Sequence, residues 1–306
     1  MIRFLAKRLL GLIPTLFLVM TLGFFFVRAA PGGPYDAERA APPEVQRVLD
    51  AKIHRGDPLI RQYRDYLAGV VLRGDLGPTY KYPNRTVNEI IGASLPVSMT
   101  LGTLALLFAL ALGVPLGVVG AVRQNTRWDT LAMAAAMTGV SIPSFVLAPL
   151  LILVFSLHLY WFPVARWETW RHMVLPVVCL GLGPAAYIAR LTRGGMLEVI
   201  RSDFIRTARA KGLSEGRILF KHALRGGLLP VVSYLGPAYS GMMVGSLIIE
   251  KIFDIPGMGR YFVEAAQNRD YNLLVGMMLV YGTILMLANA VVDVAYSFLD
   301  PRVELR

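Results

Sequence analysis

The sequence predicts an all-α integral membrane protein with six spans. The 306 residues are 55% hydrophobic and only 17% charged, with a mean hydropathy of +0.54, which is too apolar for a water-soluble domain of this size. Several apolar runs reach the roughly 20 residues that cross a bilayer core. No run alternates apolar and polar residues as the strands of a membrane barrel do. Because a spanning backbone must satisfy its own hydrogen bonds, these runs are predicted to be helices.

The six predicted spans lie where the apolar runs are longest. Their bounds are Leu9–Val27, Met99–Val122, Thr130–Leu157, Met173–Leu191, Leu228–Ile249 and Leu273–Leu299. The first run follows Arg3, Lys7 and Arg8 as a signal sequence would, but its apolar core is too long, and Pro31 would stand directly after the cleavage site. We expect this segment to be a retained first span.

The positions of Lys and Arg predict the orientation in the membrane. Basic residues concentrate at the N-terminus, in the loop with Arg123 and Arg127, in the segment 193–226 and in the C-terminal tail, which all fall on one side of the predicted spans. The positive-inside rule therefore places both termini and the segment 193–226 in the cytoplasm. The net charge of +11 is mostly a topology signal, and we expect no binding of nucleic acid.

The chain divides into three predicted regions. Residues 1–27 form an N-terminal transmembrane helix, residues 28–95 a small α-helical cap outside the membrane, and residues 96–306 a core of five helices with the basic loop 193–226. Within the cap we expect a turn at 31–34, one helix at 44–52 and a second over 59–70, where apolar and aromatic residues recur every three or four positions.

The sequence carries neither a nucleotide-binding P-loop nor the metal-binding motif H-E-x-x-H. No Lys is followed by Ser or Thr, so the P-loop that cradles ATP is missing. The four histidines are scattered, and the single cysteine, Cys179, lies in the fourth predicted span. We therefore expect no enzyme activity, no catalytic residue, no metal site and no cofactor in this chain.

Ionisable residues are sparse in the predicted spans. The candidates are Arg190, Glu250 and Asp293, and each lies within about two helical turns of a span end. Ion-coupled carriers need such groups near the middle of the membrane, where they are costly and mark a pathway. An ion-coupled secondary carrier is therefore the weaker hypothesis, and a purely structural membrane scaffold is a third.

The segment 204–224, "FIRTARAKGLSEGRILFKHAL", predicts two short helices joined by a turn. Gly212 can end the first helix in a left-handed conformation, and Ser214 is a good N-cap for the second. A basic stripe recurs every four residues at Arg217, Lys221 and Arg225. The apolar positions predicted to share a face are Phe204, Ile205 and Ala208 on the first helix, and Ile218, Leu219, His222 and Ala223 on the second. Such a face either lies on anionic lipid or enters a groove on a partner protein, and the residues alone leave this open.

The fifth predicted span is rich in glycine, with Gly236-Pro237 followed by Gly241 and Gly245. Small residues four apart allow close helix packing, and Pro and Gly are tolerated beside a cavity. A well-packed bundle accounts for these residues, but we also predict a gated pathway beside this span. The candidate lining residues are Tyr239, Met242, Met243 and Ser246.

The predicted external loop "FDIPGMGR", residues 253–260, follows the same span. Its Pro-Gly turn suits a hairpin that re-enters the mouth of a pathway, although a plain surface loop fits equally well. The residues chosen for this role are Phe253, Asp254, Pro256, Gly257 and Gly259.

Many stretches together resemble the permease subunits of bacterial ABC importers, in the peptide/nickel branch. The segment 206–224 resembles their EAA-type loop, with Ala208, Gly212 and Leu224 on the family pattern. It departs from that pattern at Arg206, which replaces a Glu, and at Leu224-Arg225, which replaces Leu-Pro. Further similar stretches are "VRAAPGGP", "DPLIRQYRDYL", "GDLGPTYKY", "MTGVSIPSFV", "ARLTRGGMLEV", "EKIFDIPGMG", "NRDY" and "DPR". The stretch "ERAAPPEVQ" is most similar to the oligopeptide members.

The resemblance implies the type I ABC importer fold, with a periplasmic cap, and one half of an oligopeptide pathway in the bacterial inner membrane. It implies as partners a second homologous permease, two ABC ATPases that bind ATP and Mg²⁺, and a periplasmic or lipid-anchored peptide-binding protein. The loop residues that would dock on an ATPase are Arg206, Ala208, Lys211, Gly212, Leu213, Ser214 and Glu215. A dipeptide, glutathione or nickel permease of the same family is the alternative.

Overall fold

The structure is a computed structural model of the chain and describes residues 2–30, 57–82 and 84–299. The turn predicted at 31–34, the helix predicted at 44–52 and the C-terminal tail lie outside the described residues. In the described part of the chain every regular element is helical, apart from one isolated bridge between Pro78 and Thr86. The predicted all-α class is therefore confirmed.

The helices are numbered in chain order. They are α1 Ile2–Ala29, α2 Leu59–Ala68, α3 Val87–Val122, α4 Arg127–Ser141, α5 Ser144–Leu151, α6 Trp170–Ile200, α7 Asp203–Ala210, α8 Glu215–Arg217, α9 Leu224–Gly227, α10 Leu229–Ile252, α11 Met258–Gln267 and α12 Tyr271–Leu299. Three π-helical stretches continue α2, α5 and α8, at Gly69–Arg73, Ile152–His158 and Ile218–Ala223. The second helix predicted for the cap is present as α2.

Four helices of the described chain are long and apolar enough to cross a membrane: Leu10–Ala29, Val87–Val122, Trp170–Ile200 and Tyr271–Val294. Two bent pairs meet the same criterion only when each is taken as one span. They are Arg127–Gly139 with Ser144–His158, bent by 95°, and Leu229–Met243 with Ser246–Ile252, bent by 41°. The number of six spans stays a prediction, because it requires each bent pair to be one span, and the third and fifth predicted spans are not straight helices.

The break in the third predicted span has a local cause. Ile142 has extended dihedrals, with φ −108° and ψ 119°, and Pro143 follows it. The proline ring disfavours helical dihedrals at the preceding residue and removes a backbone donor, so α4 ends at Ser141 and α5 starts afresh at Ser144.

The described residues fall into two compact units. The first comprises residues 2–10, 99–255 and 284–299, and α6 is its central helix, packed against α4, α5, α9 and α10. Close approach of α3 to α6 depends on two glycines. A β-carbon at Gly113 or Gly117 would stand 2.5 Å from the carbonyl oxygen of Ala185 or Ala189 respectively, so only glycine fits there.

The second unit comprises residues 11–30, 57–82, 84–98 and 256–283. Its core joins the start of α3 to α11 and α12 through the buried residues Val87, Ile90, Ile91, Met258, Ala265, Leu273 and Met277. Asp270, from the "NRDY" stretch, is fully buried and accepts hydrogen bonds from the backbone N–H groups of Leu273, Tyr80 and Lys81. One carboxylate thus caps α12 and holds the 80–81 segment.

Candidate functional site

The basic loop forms the helix, turn and helix that its sequence predicts. Gly212 follows α7 with φ +74°, and its N–H donates to the carbonyl oxygen of Arg209 at 2.9 Å. The N–H of Leu213 donates to the carbonyl oxygen of Ala208 at 3.3 Å. A side chain at Gly212 would meet no atom within 4 Å, so the positive φ alone makes this position a glycine.

Ser214 holds the predicted N-cap position of α8. Its backbone is extended, with ψ 145°, and its carbonyl oxygen accepts a hydrogen bond from Ile218 N–H at 3.0 Å. Its side chain makes no capping hydrogen bond. The helix begins where predicted, without the side-chain cap expected of serine.

The apolar side of the loop packs against the chain's own helices. Ile205, Ala208, Ile218 and Ala223 are buried in one cluster with Ala121 of α3 and Met196 of α6. Neither a lipid surface nor a partner groove therefore takes this face, which corrects both alternatives that the sequence left open.

The prediction that Phe204 shares the inner face with Ile205 and Ala208 is wrong. Phe204 is 54% exposed, because it lies about 100° around the helix from Ile205. Phe220, for which no role was predicted, is 69% exposed on the π-helical stretch. The outward side of the loop thus carries two aromatic rings as well as its basic residues.

An ion pair spans the turn on the outward side. The Arg209 guanidinium donates to both carboxylate oxygens of Glu215, at 2.8 and 3.3 Å. These hydrogen bonds hold the pKa of Glu215 below its ordinary value. Arg206 lies 3.4 Å from the Asp203 carboxylate, and Lys211 is exposed beside the turn. The two hydrogen bonds between Arg209 and Glu215 hold the two sides of the turn together and so fix the conformation of the tip around Gly212.

A cleft of about 440 Å³ lies in the first unit, beside the break between α4 and α5 and the proline-containing helices α6 and α10. Pro143, Pro184 and Pro237 all line it, and so does Met242, one of the four predicted pathway residues. The cleft is also lined by residues that were not predicted to lie in a pathway. Tyr187 and Tyr234 have ring centroids 4.4 Å apart, and the Arg190 guanidinium lies 5.3 Å from the Tyr187 centroid.

The other three predicted pathway residues make contacts outside that lining. The Tyr239 hydroxyl lies 3.3 Å from the hydroxyl of Thr103, and Met243 is buried at Gly102, where a β-carbon would stand 3.0 Å from its sulfur. Ser246 is buried and donates to the carboxylate of Glu250 at 2.8 Å. Their role in a pathway stays a prediction.

One strong ion pair joins α4 to α6. The guanidinium of Arg193 donates through two nitrogens to the two carboxylate oxygens of Asp129, each at 2.7 Å. Asp129 also accepts from the backbone N–H of Asn125 at 3.0 Å. The sequence gives no sign of this pair, because its members are 64 residues apart and no local pattern relates them.

The residues of the predicted external loop belong partly to each unit. In the first unit Phe253 is buried and its carbonyl oxygen accepts from Arg166 N–H at 2.9 Å, while Asp254 has φ +50°. In the second unit Pro256 is exposed, Gly257 is the N-cap of α11, and Gly259 is buried in its first turn. A re-entrant role for this loop stays a prediction.

Four helices that can each span a membrane, two bent helix pairs beside a cleft, and a helix–turn–helix loop packed on α3 and α6 are the features of a multi-pass membrane protein. Residues 113–305 match the family model described as "Binding-protein-dependent transport system inner membrane component". Residues 1–101 match the model for the N-terminal part of membrane components of the same systems. The chain belongs to this family of inner-membrane permeases.

Curated relatives cover the whole chain. The oligopeptide transport system permease protein OppB of Salmonella typhimurium is 50% identical over 306 residues, and that of Haemophilus influenzae is 48% identical, each with 99% of this chain and 100% of the relative aligned. The dipeptide transport system permease protein DppB of Bacillus subtilis is 45% identical over 305 residues, covering 100% of this chain and 99% of the relative.

Solved structures support the fold. A chain of the MetNI methionine ABC transporter, in an inward-facing conformation, aligns with a TM-score of 0.56 at 19% identity and covers 69% of this chain and 97% of its own. The predicted type I ABC importer permease fold is thereby confirmed.

Proposed function

We propose that this chain is one membrane subunit of an ATP-driven importer of oligopeptides. The observation that carries the proposal is the identity of 48–50% to oligopeptide permeases over their full length. An importer of dipeptides is the second candidate, since a dipeptide permease is 45% identical over nearly the same span. Membership of the permease family removes the reasons for the ion-coupled carrier and for the structural scaffold.

In this proposal a second homologous permease completes the pathway, a periplasmic or lipid-anchored binding protein delivers the peptide, and two ATPases bind ATP and Mg²⁺. The basic loop and both termini face the cytoplasm. The cleft with Tyr187, Tyr234 and Arg190 supports a place for the pathway beside α6 and α10, because kinked helices and polar side chains meet there.

The loop is the proposed contact with an ATPase. Its burial pattern separates residues available to a partner from residues that hold the loop on this chain. Lys211, Gly212, Ser214 and Glu215 are exposed at the tip and are available to a partner. Ala208 is buried in the chain's own core, so its part is to seat the loop and not to touch the ATPase.

The packing of the loop supports a route from ATPase to pathway. Movement of the tip would be passed to α6 through the contact of Ile205 and Ile218 with Met196. The same helix lines the cleft with Leu180 and Tyr187. A loop that binds the two states of the ATPase dimer with different affinity would therefore bias the helices around the cleft between two arrangements.

The test compares two glycines of the same loop. Gly212→Val places a β-branched residue at φ +74°, whereas Gly216→Val lies in α8; neither position has an atom within 4 Å of a new β-carbon. Each variant is expressed with its partner subunits, and uptake of a labelled tetrapeptide is measured together with the ATPases retained in a detergent pull-down.

We expect Gly212→Val to lose uptake and retained ATPase while the chain still inserts into the membrane, and Gly216→Val to keep both. Equal behaviour of the two variants would contradict the docking role of the turn. Competition by unlabelled dipeptides and pentapeptides in the same assay separates the two substrate candidates. Wild-type chain recovered without any ATPase would contradict the importer itself.

A further inference from the structure

A second cleft, of about 450 Å³, lies where the basic loop meets the helices that carry it. It is bounded by the end of α3, the end of α6 and the start of α7, and all of its lining residues belong to the first unit. Three arginines stand around it, Arg201, Arg206 and Arg209. Arg206 is the one lining residue that was also predicted to dock on an ATPase, and the proposed contact at the tip around Gly212 does not need the cleft.

The three guanidinium groups differ in how far their charge is already balanced. Arg209 is held by the Glu215 carboxylate at 2.8 Å, and Arg206 has a looser contact of 3.4 Å with Asp203. Arg201 donates to the amide oxygen of Gln124 at 3.0 Å, and this partner carries no charge. The cleft therefore presents positive charge mainly from Arg201, with Arg206 beside it.

The floor of the cleft is apolar and continues into the membrane. Ala121, Val122, Leu197 and Ile200 line it, and Val122 is 49% exposed. On α3 no charged residue stands between Met99 and Val122, and Arg123 is the first after them. The edge of the hydrocarbon layer therefore falls close to Val122, so the cleft opens at the level of the lipid headgroups.

We propose that this cleft binds one anionic phospholipid. Arg201 and Arg206 hold the phosphate, because each guanidinium can donate two parallel hydrogen bonds to phosphate oxygens. The acyl chain runs over Val122 and Leu197 towards the membrane interior. Basic pockets between spanning helices at the membrane surface suit acidic headgroups in this way. Free phosphate would satisfy the arginines but would leave the apolar floor in contact with water, so the floor favours a lipid over a free ion.

The experiment measures lipid retention by the purified full-length chain, without ATPases, using native mass spectrometry after incubation with phosphatidylglycerol or phosphatidylcholine. The test variant is Arg201→Gln/Arg206→Gln. The matched control is Arg217→Gln/Lys221→Gln, which removes the same charge from the same loop outside the cleft lining.

We expect wild type and control to retain phosphatidylglycerol in preference to phosphatidylcholine. The test variant should lose retention of phosphatidylglycerol by about 30-fold, the loss expected when two arginines near an anionic surface are removed. Equal retention by the test variant and the control would overturn the proposal, as would equal retention of both lipids by wild type. Displacement of the lipid by millimolar inorganic phosphate would overturn the lipid in favour of a free anion.

A second measurement needs no variant. A photoactivatable phosphatidylglycerol is crosslinked to wild-type chain in vesicles of that lipid, and the labelled peptides are mapped. Labelling concentrated in residues 119–124 and 197–209 would support the cleft. Labelling spread equally over 215–227 would contradict it and indicate a general basic surface. Both measurements omit peptide and nucleotide, so their failure would leave the importer proposal unaffected.

Discussion

Breaking the ion pair between Asp129 and Arg193 should destabilise the chain by about 2 kcal/mol. Removing one partner of a fully buried pair costs about 3–5 kcal/mol, because the other charge is left without compensation. The Asp129 side chain is 8% exposed, but that of Arg193 is 29% exposed, so water would screen part of the loss. Arg193→Met keeps most of the stem and removes both hydrogen bonds, leaving Asp129 with the Asn125 N–H.

The assay is equilibrium unfolding of the purified chain in mixed detergent micelles, followed by tryptophan fluorescence. Arg217→Met, at an exposed position of the loop, is the control and should change the free energy of unfolding by less than about 0.5 kcal/mol. The double variant Asp129→Asn/Arg193→Met should recover more than half of the loss, because no buried charge remains. The reasoning would be refuted if Arg193→Met had the same free energy of unfolding as wild type. It would also be refuted if the double variant were no more stable than Arg193→Met.

Two further predictions concern packing and capping. Gly117→Val should prevent accumulation of folded chain, because a β-carbon there would stand 2.5 Å from the carbonyl oxygen of Ala189. Gly92→Val should be tolerated, because a β-carbon at Gly92 would have no atom within 4 Å. Size-exclusion chromatography of the two variants is the measurement, and matching profiles would contradict the close helix contact. Asp270→Ala removes the acceptor of three backbone N–H groups and should cost about 1–3 kcal/mol of unfolding free energy, while Asp270→Asn, which keeps one acceptor oxygen, should cost less. Equal losses for Ala and Asn would exclude the hydrogen bonds as the cause.

Local signals in the sequence were sufficient for much of the fold. Hydropathy located the long helices, since each apolar run has about the 20 residues that a bilayer core needs, or more. The turn at Gly212 and the start of α8 after Ser214 were also predictable, because positive φ and N-cap preferences act within a few residues. The 95° break after Ser141 follows from Pro143 in the same way, although the sequence analysis joined the two helices into one span.

Contacts between distant residues were decided only by the tertiary structure. From the sequence, the loop's apolar face was expected to meet lipid or a partner groove, and only the packing against Met196 and Ala121 shows that it is buried within the chain. The pairing of Asp129 with Arg193, and the meeting of Tyr187 with Tyr234, depend on how α6 packs against α4 and α10. The sequence by itself determined which segments are helices and where the loop turns at Gly212, because these depend on neighbours along the chain. Helix packing determined which side chains meet, because backbone contacts such as Gly117 against Ala189 set the spacing and rotation of whole helices.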